Sequence, residues 1–184
     1  MNRTNHRYER ALLRNLHELL RCLSYRNAYN SLCEAAPVTD WSFFSYASLA
    51  LYNGMFDHAM KVLDKHKDSA SFFYLYKCNP TLIQTELDKV GLRYEDAEAL
   101  STKLKAIRDK DQFHIDRKAL FNPKAVWADA NITGDSFNVV MDKLWTALNS
   151  LYESHHERKF GQPVYSGEDV KSIIDAVKSK GIIV

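Results

Sequence analysis

Cysteine is scarce, and its pattern shows no pairing. The chain holds only Cys22, Cys33 and Cys78, with no C-x-x-C pair among them. An odd, scattered set excludes a zinc ribbon and a disulfide framework. It predicts reduced thiols, mostly core fillers, in a reducing cytosol. Glycine is also sparse: six residues form no phosphate-cradling loop, and neither a G-x-S-x-G elbow nor an H-E-x-x-H zinc motif occurs. Long apolar runs are missing too. The most apolar stretch, Phe43 to Tyr52, contains Ser45 and Ser48 and is about half as long as a membrane span. The N-terminal Arg3, Arg7, Arg10 and Arg14 are not followed by the apolar segment of a secretory signal. These absences predict a soluble cytoplasmic protein with no membrane partner, no metal and no cofactor.

A large excess of one charge is likewise absent. Lys+Arg 25 against Asp+Glu 23 gives a net +2, which excludes a histone-like polycation. The balance conceals segregation, however. Residues 1–26 carry six arginines against two glutamates, a local +4, and residues 103–118 carry six basic residues against three aspartates, a local +3. The remainder is therefore at −5. Bulk charge argues against a general polycation but permits a focused cationic groove.

Against those absences stands a strong helical rhythm. Leu12, Leu13, Leu16, Leu19, Leu20 and Leu23 recur at i, i+3, i+4 and i+7, predicting a first helix from about residue 4 to residue 35 that stops before Pro37. Asp40 is placed to cap a second helix, Trp41 to about Lys67. Its apolar residues on several faces predict that it is the central, most buried helix, although Gly54 weakens its continuity. Two short helices follow, separated at Asn79-Pro80, and Gly91 closes the region. Ala97, Leu100, Leu104 and Ile107 form the core stripe of a helix from Glu95 to about His114. After an interruption at Asn122-Pro123, a last long helix is expected from an Asp135 or Ser136 cap, with Phe137, Val140, Met141, Leu144, Leu148 and Leu151 facing inward. Residues 160–167 read as a loop, and Glu168 to Lys180 as a terminal helix closed by Gly181. No hairpin pair of alternating strands and no solenoid repeat is present. The expected fold is one all-α domain over 1–184, an up-and-down bundle of about four main helices plus shorter pieces, with 160–184 appended.

The chemistry concentrates in residues 103–118. Arg108 and Asp109 are followed by His114 at the end of an amphipathic helix, with five residues between Arg108 and His114. A permanent cation, a histidine able to move protons near neutral pH and an orienting carboxylate are what RNA cleavage without a metal requires. A base takes the ribose 2′-OH proton, a guanidinium stabilises the phosphorane oxygens, and an acid protonates the leaving 5′-oxygen. Six residues of regular helix rise about 9 Å and turn about 240°, so Arg108 and His114 would not share a face. Either the helix distorts between Lys110 and Phe113, or the pair works across an interface; a two-fold dimer would bring two of each into one cleft. Lys105, Lys110, Arg117 and Lys118 are candidate phosphate contacts.

The other candidates have plainer readings. His155-His156 beside Glu153 and Glu157 point about 100° apart on a helix, which predicts a solvated helix end rather than a shared metal. His6, His58 and His66 sit among charges and are expected on the surface. Phe72, Phe73, Tyr74, Tyr76, Trp127 and Trp145 are able to stack RNA bases, but at helical spacing they are read as core.

The run Arg-Asp-Lys-Asp-Gln-Phe-His-Ile-Asp at 108–116 resembles the R-x(4–6)-H motif of HEPN domains, in which a polar residue follows the arginine. It looks closest to the AbiU2-like branch, linked to phage abortive infection. The resemblance implies an all-helical homodimer with a composite active site, acting as a metal-independent endoribonuclease in toxin or antiviral defence. An antitoxin or other defence protein is then a possible partner. On that resemblance Arg108 and His114 take the two catalytic positions, and Asp109 takes the polar position that orients them. The alternative is a non-catalytic helical module for dimerisation or for binding RNA or protein, since no second catalytic element is recognisable.

Overall fold

The computed structural model describes residues 3–35, 43–109 and 123–180. Among these residues there are eight helices and no strand: α1 (Arg3–Ala35), α2 (Phe43–Val62), α3 (Phe72–Cys78), α4 (Pro80–Lys89), α5 (Tyr94–Ile107), α6 (Pro123–Ala130), α7 (Gly134–His156) and α8 (Glu168–Ser179). The fold is all-α. No helix among the described residues is long and apolar enough to cross a membrane. Asp40, Trp41 and Gly181 lie outside the described residues. The chain groups into two compact units, Met1–Leu19 with Ala59–Gly161, and Leu20–His58 with Gln162–Val184.

In the first unit the core stripes read from the sequence are buried, save that Leu13 at the edge of the α1 stripe is only partly so. Leu12, Leu16 and Leu19 of α1 and Met141, Leu144, Leu148 and Leu151 of α7 are fully enclosed. α7 packs on α4 and α5, and α5 also packs on α6. Asn79 divides α3 from α4 because its side chain accepts the Leu82 N–H at 3.3 Å while Pro80 opens α4. α7 begins at Gly134 rather than at an Asp135 or Ser136 cap. Thr133, extended, accepts the Ser136 N–H on its hydroxyl at 3.1 Å, so the cap lies two or three residues earlier than expected.

α2 ends at Val62, five residues before the expected Lys67. The Asp64 carboxylate accepts the His66 N–H at 3.0 Å, His66 Nδ1 accepts the Asp68 N–H at 3.3 Å, and Ser71 donates its hydroxyl to the Asp64 carbonyl at 2.5 Å. Side chains that satisfy nearby backbone groups compete with helix propagation, and here they produce a turn. Asn15 secures the far end of this segment from inside the core. Its buried side-chain amide donates to Ala11 O at 2.8 Å and to Ala70 O at 2.7 Å. Asn15→Leu removes both bonds, and is expected to cost about 1–3 kcal/mol in urea unfolding. An unchanged midpoint would show that the 63–71 turn holds without Asn15.

In the second unit, Leu32 and Ile174 form a core with Phe44, Ala47, Leu51 and Val170 packed around it. Gly54 does not break α2. It lets the Tyr25 ring lie on the helix, where a Cβ would sit 2.6 Å from a ring carbon. Asn27 donates to Tyr165 O at 2.9 Å, and Lys171 pairs with Glu34 at 2.6 Å, tying 162–180 to α1. Two expectations are corrected here. The first half of α2 is not the most buried helix: Phe43 is 79% exposed, Tyr46 57% and Leu49 55%, because no described element of this unit covers that face. Of the cysteines only Cys22 is buried; Cys33 is exposed on α1, and Cys78, the last residue of α3 in the first unit, is exposed too.

Candidate active site

Every element of the candidate site lies in the first unit and centres on α5. Arg93 and Asp96 cap the start of α5, the Arg93 N–H reaching Asp96 Oδ2 at 3.3 Å. Ala97, Leu100, Leu104 and Ile107 bury one face. Ile107 packs against Val126, Ala130 and Ile132, which anchors the C-terminal end of the helix. Immediately after Ile107 the helix widens into a π turn at Arg108-Asp109. Such turns are rare and favour functional positions, because they redirect side chains within a helix. The Lys110–Phe113 stretch, where a helix distortion is one of the two alternatives for bringing Arg108 and His114 together, lies outside the described residues. Lys110, His114, Arg117 and Lys118 lie outside the described residues.

Arg108 donates Nε to Asp109 Oδ1 at 3.0 Å, the one motif contact among the described residues. Arg108 is 34% and Asp109 45% exposed. The carboxylate holds one edge of the guanidinium and leaves the terminal nitrogens out of that bond.

Arg108 and Lys105 line a groove of about 680 Å³. The opposite wall is the turn after α2, which contributes Lys65, His66 and Lys67. Ser101 fixes the floor by donating its hydroxyl to Leu63 O at 2.6 Å. Among the described residues, five basic side chains thus line the groove against one carboxylate, that of Asp64. Lys67 also lines a second cleft, with Arg7, Arg10 and Tyr74, so the basic start of α1 continues the cationic surface. A concave surface of this charge concentrates phosphate.

The sequence reading missed His66 as a groove residue, although it placed it on the surface correctly. The ring is 65% exposed. Its Nδ1 accepts a backbone N–H, so the neutral ring carries its proton on Nε2. The available signal was the run Asp64-Lys65-His66-Lys67-Asp68, in which carboxylates brace a histidine between two cations. Elsewhere, His155 lies beside Tyr8 with ring centroids 6.1 Å apart, and His156 lies on Tyr152 at 4.4 Å. Both pack on rings, and neither lines the groove. Phe72 is core, as expected, whereas Phe73 and Tyr76 are only half-buried. Trp145 meets the edge of Phe160 at 5.8 Å.

No family model, no curated protein and no solved structure matches the chain.

Proposed function

We propose that this chain is a metal-independent endoribonuclease of the HEPN type, acting as a homodimer with a composite active site in toxin or antiviral defence. Arg108 stabilises the phosphorane, Asp109 orients Arg108, and His114 is the general acid/base. In the cleavage step His114 takes the 2′-OH proton. The 2′-oxygen then attacks phosphorus, and the 5′-oxygen leaves with a proton from the partner subunit's His114, so the products are a 2′,3′-cyclic phosphate and a 5′-hydroxyl. The observation that carries this reading is Arg108 itself. It sits at a π turn, braced by Asp109, in a groove that presents Lys65, Lys67 and Lys105 beside it.

Total RNA incubated with the purified chain in EDTA tests the reaction class. The expected result is fragments ending in 2′,3′-cyclic phosphate that vanish with His114→Ala. Fragments ending in 3′-hydroxyl, or cleavage only with Mg²⁺ restored, would overturn the mechanism. Binding without cleavage by the wild-type chain would favour the non-catalytic module.

A further inference from the structure

A separate cavity, distinct from the Arg7–Arg10 cleft, adjoins the groove. It has a volume of about 480 Å³ and is lined by Phe73, Tyr76, Tyr94, Pro80, Lys77 and the Lys65–Glu98 pair. That volume lies in the range typical of small-molecule sites, roughly 300–1,000 Å³. Tyr76 and Tyr94 lie with ring centroids 4.4 Å apart and planes tilted by 40°, and Phe73 meets Tyr94 edge-on at 5.7 Å. Lys65 Nζ lies 5.5 Å from the centre of the Phe73 ring. All three rings are half-buried, unlike Phe72 behind them, which is fully enclosed. The rings therefore floor an open pocket rather than fill a core.

Helix geometry joins this pocket to the groove. Tyr94, Glu98, Thr102 and Lys105 of α5 follow one another at spacings of 4, 4 and 3, which places them on one face, and Arg108, three residues on, is the C-cap of the helix with helical backbone angles. Tyr94 and Glu98 line the aromatic pocket, while Thr102, Lys105 and Arg108 line the cationic groove. Lys65 lines both. From Tyr94 to Arg108 the helix rises about 21 Å, longer than one nucleotide. An aromatic pocket at one end of a cationic track is the arrangement that holds single strands: rings stack bases, and cations follow phosphates.

We infer that the Phe73–Tyr76–Tyr94 pocket receives an unstacked base of a single-stranded RNA whose phosphates follow the α5 face through Lys65 and Lys105 to Arg108. The inference rests on the ribonuclease reading for its ligand and adds a base-binding subsite to it. The strand then enters the reaction with one base fixed at a distance from the scissile phosphate, so that stacking sets the position of the cut.

Binding is read by fluorescence anisotropy with a labelled ten-nucleotide 2′-O-methyl RNA, which lacks the attacking hydroxyl and cannot be cut, and with an abasic chain of the same length and charge. Tyr76→Ala is expected to weaken binding of the base-containing strand by about tenfold or more and to leave the abasic chain unaffected. Tyr76→Phe keeps the ring and loses only the 3.1 Å bond to Gln84, so it should bind as wild type. Equal weakening on both chains would mark Tyr76 as a structural residue, and no weakening on either would remove the subsite; each overturns the inference while leaving cleavage by the wild-type chain intact. If wild-type protein binds neither chain and cuts no RNA, the subsite and the ribonuclease reading fall together.

Discussion

Arg108→Ala is expected to slow single-turnover RNA cleavage in EDTA by about 10²–10³-fold, the usual cost of removing one preorganised donor to a developing oxyanion. The reason is geometric as well as electrostatic. Two guanidinium nitrogens can span two phosphorane oxygens, and the Asp109 bond at 3.0 Å holds the group in orientation before substrate arrives. Arg108→Lys retains the charge but not the fork, so it should recover only part of the loss. Asp109→Ala keeps the guanidinium but frees it, and a decrease of about 10–100-fold is expected. With its side chain one-third exposed, Arg108→Ala should alter unfolding by less than about 0.5 kcal/mol. Circular dichroism melts alongside the rates separate chemistry from folding. Cleavage by Arg108→Ala at close to the wild-type rate would remove the guanidinium from the mechanism.

Gly167→Ala should be the most damaging single-methyl addition in the second unit, at about 2–4 kcal/mol. Gly167 precedes α8 with φ +83°, a region that costs an L-residue roughly 1–2 kcal/mol. Space is lacking as well. A Cβ there would meet the Ser31 hydroxyl and lie 2.8 Å from the Asn27 carbonyl oxygen. The backbone of α1 cannot yield as a flexible side chain would, so the start of α8 must move and the Leu32–Ile174 core must loosen. Gly134→Ala is the control. No atom lies within 4 Å of its Cβ, and alanine in the first turn of α7 should be neutral or slightly stabilising. Hydrogen exchange checks both: residues 162–180 should lose protection in Gly167→Ala, while α5 and α7 keep theirs. Unchanged protection across α8 would show that the left-handed turn is not what holds it.

Much of the fold is written in local periodicity. The α1, α5 and α7 stripes follow i, i+3, i+4 spacing, and the Asn79-Pro80 break and the Gly91 stop are chemistry within a few residues. α2 shows where this stops. Apolar residues on several faces of Phe43–Met55 suggest the most buried helix, but burial depends on which other elements arrive to cover each face, and periodicity within one helix carries no such information. The end of α2 is hidden for a related reason: Asp64 and His66 fall within the expected helix to Lys67, but their side chains bond the nearby backbone and stop it at Val62.

The candidate site divides in the same way. The sequence by itself determined the helical class, the run of charge through 103–118 and the Arg108-Asp109 pair, because each is a matter of residue type and spacing along one segment. Only the tertiary structure decided that the Lys65-His66-Lys67 turn faces Lys105 and Arg108, and that half-buried rings of α3 and α5 open beside them. The bond from Ser101 to Leu63 that floors the groove joins residues 38 positions apart. Contacts of that range depend on how whole helices pack, and the pattern within either helix does not specify its partner.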